Sequence, residues 1–111
     1  MTMNYEKHKE LISILNACAI ECNRCTIACL EEENINMLEK CIKLDIDCAE
    51  MCHLAVSFLA RDSEHTEHIL PECAELCESC AKECEMHKDL DHCKVCAEAC
   101  RKCAEACLQV A

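Results

Sequence analysis

The sequence predicts an all-α protein, an antiparallel up-down-up-down four-helix bundle with a cysteine-lined core, and three observations carry that reading. The 16 cysteines of this 111-residue chain fall into four groups, stepped by three, four or seven residues. Such steps are the inward spacing of a helix packed in a bundle. The residues between the cysteines are mainly Ala, Glu, Lys and other good helix formers. With no Gly and one Pro, the chain also has few means of interrupting a helix or making a left-handed turn.

The first helix is expected near residues 4–30 and carries Cys18, Cys22, Cys25 and Cys29. Residues 31–36 (EEENIN) end it, and Asn36 with Glu39 reads as an N-cap and capping-box pair opening a second helix over 36–60, which carries Cys41, Cys48 and Cys52. Residues 61–68 (RDSEHTEH) form the next break, with Ser63 and Thr66 as candidate caps. A third helix over 69–86 follows, with Cys73, Cys77, Cys80 and Cys84, and Pro71 is tolerable in it only near the first turn. Residues 87–92 (HKDLDH), capped by Asp89 or Asp91, lead into a fourth helix over 91–109 with Cys93, Cys96, Cys100, Cys103 and Cys107. Short connections make sequence neighbours antiparallel, giving one domain over residues 1–111. CAIECNRCTIAC and CAELCESCAKEC share the same spacing, a similarity that one inward thiol stripe per helix produces without a solenoid.

Composition excludes several classes. One Tyr, one Phe and no Trp rule out a conventional aromatic core, so cysteine itself must fill much of the interior. The start of the chain lacks a secretory pattern, since Glu6 and Glu10 precede any apolar run, and no apolar stretch is expected to be long enough to span a membrane. The expected compartment is therefore the reducing cytoplasm, which argues against a disulfide scaffold. A net charge of −11 argues against nucleic acid or an anionic membrane as partner.

In an antiparallel bundle the cysteines fall into layers. Cys29, Cys41, Cys84 and Cys93 share one level; Cys25, Asp45, Cys80 and Cys96 come next, then Cys22, Cys48, Cys77 and Cys100, then Cys18, Cys52, Cys73 and Cys103, with Cys107 last. Leu11, Leu15, Ala55, Leu59, Leu70 and Val110 continue the stripes and close the far end. Cysteine can act as a small buried hydrophobe, but Ala, Val or Leu would fill so many positions without oxidation risk. The C-x-x-C pairs Cys22/Cys25, Cys77/Cys80, Cys93/Cys96 and Cys100/Cys103 suggest a thiol oxidoreductase, yet that chemistry needs an exposed thiolate at a helix start within a βαβ unit, and the chain has no strand pattern. Metal binding is the stronger reading. A thiol that exchanges its proton for Cu(I) leaves the core neutral, whereas each zinc or cadmium ion on four thiolates would leave about two negative charges in a low-dielectric interior. Soft thiolates suit many Cu(I) ions shared between pairs. Zinc or cadmium sequestration and thiol redox chemistry stand as the alternatives, and no nucleophile, base and oxyanion arrangement points to an enzyme.

CAEMC, CAELCESCAKEC, the histidine-bearing loop before Cys93 and the closing CKVCAEACRKCAEAC resemble the copper storage proteins, specifically their cytosolic branch, over nearly the whole chain. The resemblance implies a homotetramer of bundles that each hold many Cu(I) ions, mainly on C-x-x-x-C pairs. Here these are Cys18/Cys22, Cys25/Cys29, Cys48/Cys52, Cys73/Cys77, Cys80/Cys84, Cys96/Cys100 and Cys103/Cys107. It also implies metal-binding roles for His87 and His92 at an open mouth and for Asp45 in the core, while donor and recipient partners stay unassigned.

Other residues carry less. Glu50 and His53 form E-x-x-H, a di-iron pair only when a second copy faces it, and both are expected to point outward. His65 and His68 near a loop are expected to be solvated, and Met37 and Met86 to lie at the mouth. Tyr5 and His8 are expected at the opposite end, without a role.

Overall fold

The computed structural model describes residues 2–110. Four helices follow one another: α1 (Thr2–Leu30), α2 (Glu39–Ala60), α3 (Thr66–Glu85) and α4 (Asp91–Val110), with a 3₁₀ turn over Ile35–Leu38 before α2. There is no strand among the described residues. Each helix packs on its sequence neighbours and α1 also packs on α4, while the backbones of the diagonal pairs stay apart and meet only through core side chains, so the four enclose a square interior. The expected bundle is present, in a rod of 50 × 18 × 18 Å.

Helix ends are where sequence and structure part. The Asn36 and Glu39 capping box does not form; Leu38 is the N-cap of α2, without a side-chain hydrogen bond. Lys43 Nζ takes the Glu39 carboxylate at 3.0 Å instead, and the 3₁₀ turn runs straight into the helix, doing the work of a cap. Leu38 itself, which the sequence pattern left unassigned, is buried against the core. Helix α3 begins at Thr66, three residues before the expected start at 69, because the Thr66 hydroxyl donates to the Ser63 carbonyl at 2.7 Å and Ser63 Oγ accepts from the His65 N–H at 3.1 Å. Pro71 consequently lies beyond the first turn, on an exposed face. Asp91 is the first residue of α4, where its carboxylate faces the positive end of the helix dipole.

The absence of Gly does not prevent a left-handed turn. Asp62 takes φ 54° after α2. Its N–H donates to the Leu59 carbonyl at 3.1 Å and the Ser63 N–H to the Phe58 carbonyl at 2.9 Å, a Schellman closure in which Asp replaces the usual Gly.

Leu11, Ile12, Leu15, Leu59 and Leu70 are all buried and, with Ala55, fill the end away from the Cys29 layer. Val110 was expected to join them and does not: it is 45% exposed, because α4 ends there beyond its partners' apolar stripes, and Ile12 takes part instead. Residues His8–Leu30 of α1 are, contrary to expectation, long and apolar enough to cross a membrane by length and composition, since cysteine counts as apolar. The inward face of that helix is spent on the core, with Leu11, Leu15 and four thiols fully covered by the other helices. Glu50, His53, His65 and His68 are exposed as expected, and Tyr5 lies outside the described side chains.

The aliphatic end and helix packing should hold the bundle together before any metal arrives. Far-ultraviolet circular dichroism of the reduced, metal-free protein is expected to be strongly helical, and Leu15→Ala to lower its unfolding free energy by about 2–5 kcal/mol through the cavity it leaves. A coil spectrum that turns helical only on adding metal would overturn this.

Candidate metal centre

All 16 cysteines are buried free thiols. Each helix presents its thiols along one stripe, as the three- and four-residue steps require, and antiparallel packing brings the stripes face to face in the expected layers. The short sulfur contacts mostly join different helices. Cys41 meets Cys84 and Cys48 meets Cys77 at 3.5 Å, Cys22 meets Cys100 at 3.6 Å, and Cys18 lies 3.8 Å from Cys100 and 4.0 Å from Cys48. Deeper in, Cys52 lies 3.9 Å from Cys73 and 4.0 Å from both Cys77 and Cys103. Cys107 is buried at the end of the stripe, next to Cys103 and Cys73.

These spacings are shorter than two metal–thiolate bonds of about 2.3 Å laid end to end, so one ion can reach both sulfurs of a pair. Larger groups form as well. The donor atoms of Cys18, Cys22, Cys48 and Cys100, of Cys22, Cys80, Cys96 and Cys100, and of Cys52, Cys73, Cys77 and Cys103 lie within 4.8 Å of one another in each set. Of the C-x-x-x-C pairs, Cys25 and Cys29 approach directly at 3.8 Å. The interior is a continuous lattice of sulfur that the helices share.

Asp45 is the one buried charged residue type in the described core, with no exposed surface. Its Oδ1 accepts from Cys80 at 3.0 Å, Cys96 at 3.3 Å and Cys84 at 3.8 Å, and its Oδ2 from Cys41 at 3.9 Å. The carboxyl thus joins the outermost thiols to Cys96, which continues to Cys22 at 3.8 Å. Burial, reinforced by Cys96 and Cys80, pushes its pKa up to about 11, so the group is a neutral acid in the metal-free core. Burial likewise raises the Cys29 thiol to about 11, with Cys41 adding to the shift. Such thiols are protonated at neutral pH, and each must release a proton to bind a metal ion.

At the end of the bundle formed by Cys29 and Cys93, the two histidines behave differently. His92 Nδ1 faces three thiols, Cys93 at 3.6 Å, Cys25 at 3.8 Å and Cys29 at 3.9 Å. Its Nε2 meets Glu32 Oε2 at 3.1 Å. His87 Nε2 instead pairs with Glu83 Oε2 at 3.1 Å, one turn back on its own helix. An open groove of about 710 Å³ between α1 and α4 is lined by Cys25 and His92. Met37 and Met86 are 69% and 73% exposed on the segments at this end. Glu32 and Glu83 are the residues that sequence reasoning missed. Glu32 is hidden in an acidic run that reads as a plain linker, while Glu83 precedes His87 by four residues, a spacing that could have revealed the pair.

A family model described as copper storage protein matches residues 4–111. The chain is 46% identical over 82 residues to an uncharacterized cysteine-rich protein, YhjQ, of Bacillus subtilis strain 168, covering 74% of this chain and 75% of that protein. Among solved structures, it superposes on the Cu(I)-bound copper storage protein BsCsp3 of Bacillus subtilis with a TM-score of 0.88 and 42% identity, over 92% of this chain and 95% of that one. A cytosolic copper storage protein from Streptomyces lividans, solved with five coppers, gives a TM-score of 0.92 at 36% identity, over 99% of this chain and 96% of that one.

The raised pKa of Asp45 has a signed consequence for the reduced, metal-free protein. Unfolded, the carboxyl ionises near 3.8; folded, it holds its proton to about 11. Between those values the folded state binds the extra proton, so stability falls as pH rises. Urea midpoints are expected to drop between about pH 5 and pH 8, below the range where an ordinary thiol of pKa ~8.5 ionises, and to drop less in Asp45→Asn. Equal declines in the two proteins would overturn the buried neutral acid.

Proposed function

The chain belongs to the copper storage protein family, and we propose that it stores and buffers Cu(I) in the cytoplasm, holding many ions per chain on core thiolates without catalysing a reaction. The observation that carries this is the neutrality of the core. Sixteen buried thiols face one another with one buried carboxyl and no buried Lys or Arg among the described residues. Exchange of a proton for a monovalent ion keeps that interior uncharged, whereas divalent ions on four thiolates would leave buried negative charge that costs several kcal/mol per ion, about what breaking a buried pair costs. Two-sulfur spacings of 3.5–4.0 Å at many positions support shared, low-coordinate sites.

The store comprises Cys18, Cys22, Cys25, Cys29, Cys41, Cys48, Cys52, Cys73, Cys77, Cys80, Cys84, Cys93, Cys96, Cys100, Cys103 and Cys107, with Asp45 and His92 as additional ligands and His87 held in reserve by Glu83. It is a single domain over residues 1–111, and it works as a homotetramer that exchanges copper with donor and recipient molecules, with no role for nucleic acid or membrane. Likeness to a cytosolic relative and the net charge of −11 support the compartment and the partner class.

Anaerobic titration with Cu(I), followed by native mass spectrometry, is expected to reach a capacity close to or somewhat above the 16 thiols. A plateau at a few ions per chain, or filling by about four Zn(II) in preference, would overturn the storage reading. His92→Ala is expected to slow loading from a Cu(I) chelate much more than it lowers that capacity, and His87→Ala to slow it less. Equal loading rates for wild type and His92→Ala would remove His92 from the capture step.

A further inference from the structure

The contact between Glu32 and His92 joins the linker after α1 to the start of α4, across 60 residues of sequence. An ionised carboxylate can only accept a hydrogen bond, so the Nε2 that meets it at 3.1 Å must carry the hydrogen. In the neutral ring the lone pair then belongs to Nδ1, the atom facing Cys93, Cys25 and Cys29 at 3.6–3.9 Å. We propose that Glu32 is a positioning residue for Cu(I) capture, holding His92 in the tautomer and orientation that aim a ready lone pair at this three-thiol cluster. The inference rests on the copper-storage reading for its consequence but not for its geometry.

The arrangement matters because the neighbouring donors are not ready. Cys25, Cys29 and Cys93 are fully buried free thiols. A thiol must lose a proton to water before it binds Cu(I), whereas Nδ1 of this tautomer has none to lose. The opposite tautomer would turn an N–H toward the sulfurs and set two acceptors, Nε2 and the carboxylate, against each other. The side chain of His92 is 22% exposed and that of Glu32 36%, so the pair sits at the boundary between solvent and store, beside the groove between α1 and α4. Carboxylates that orient a metal-binding imidazole through its second nitrogen are a general device, and their loss costs about 10–100-fold in affinity or rate.

Two measurements on the same variants test this. Long-range ¹H–¹⁵N correlation spectra of the reduced, metal-free protein with ¹⁵N-histidine are expected to show His92 as the Nε2–H tautomer. In Glu32→Ala the signal should move toward a tautomer mixture, and Glu32→Gln, whose amide oxygen still accepts, should restore the wild-type pattern. Stopped-flow transfer from a Cu(I)–bicinchoninate complex is expected to be about tenfold slower in Glu32→Ala, to recover largely in Glu32→Gln, and to end at the same capacity in all three. A wild-type His92 carrying its hydrogen on Nδ1 would overturn the proposal, as would Glu32→Ala with an unchanged spectrum and unchanged transfer rate. If the wild type failed to take up many Cu(I) ions, the storage reading would fall, while the metal-free spectra would still decide the role of Glu32.

Discussion

Everything in this bundle depends on keeping an interior made of sulfur electrically neutral. Sixteen ionisable groups are packed where a single uncompensated charge is costly, and the protein meets the problem with protons rather than with buried cations. Burial holds Asp45 and the Cys29 thiol in their neutral forms. That choice decides the rest. The surface can be strongly acidic because no interior negative charge adds to it, and the cargo must replace protons with as little change in charge as possible.

The same constraint explains the material of the core. Large side chains would separate the helices, whereas Cys with interspersed Ala lets four backbones approach closely enough for sulfurs on different helices to lie 3.5–4.0 Å apart. Apart from Leu38 near Cys41, the large aliphatic side chains of the core gather at one end, where Leu11, Ile12, Leu15, Leu59 and Leu70 pack together. Stability and storage are therefore separated along the rod: one end is built from residues that cannot bind a metal ion, and the remainder from residues that can.

The helices, their order and the thiol layers were legible in the sequence, because a stripe of one residue type at three- and four-residue steps leaves only one face to turn inward. The layer of Cys25, Asp45, Cys80 and Cys96 followed from register alone and is present, with Cys80 and Cys96 donating to the Asp45 carboxyl. Features set by side-chain competition or by contacts distant in sequence could not be read there. Glu39 satisfies a capping-box pattern, yet Lys43 one turn on takes its carboxylate. Asp62 fills a conformation that Gly usually supplies. Glu32 meets His92 only because two linkers converge at one end of the bundle, and no periodicity records that convergence. Val110 fits its stripe by spacing and is exposed because the helix ends there.

The aliphatic seal at one end has a consequence for the order in which contents leave. A vessel with a single opening behaves as a stack: its first contents are covered by later arrivals. On the storage reading proposed above, ions held by Cys52, Cys73, Cys103 and Cys107, next to the leucines, would lie behind those nearer His92, making the most recent deposit the one most readily withdrawn. The deep sites would then form a reserve whose release waits on depletion of the shallow ones, and the polarity of the rod would act as a timing device without any moving part.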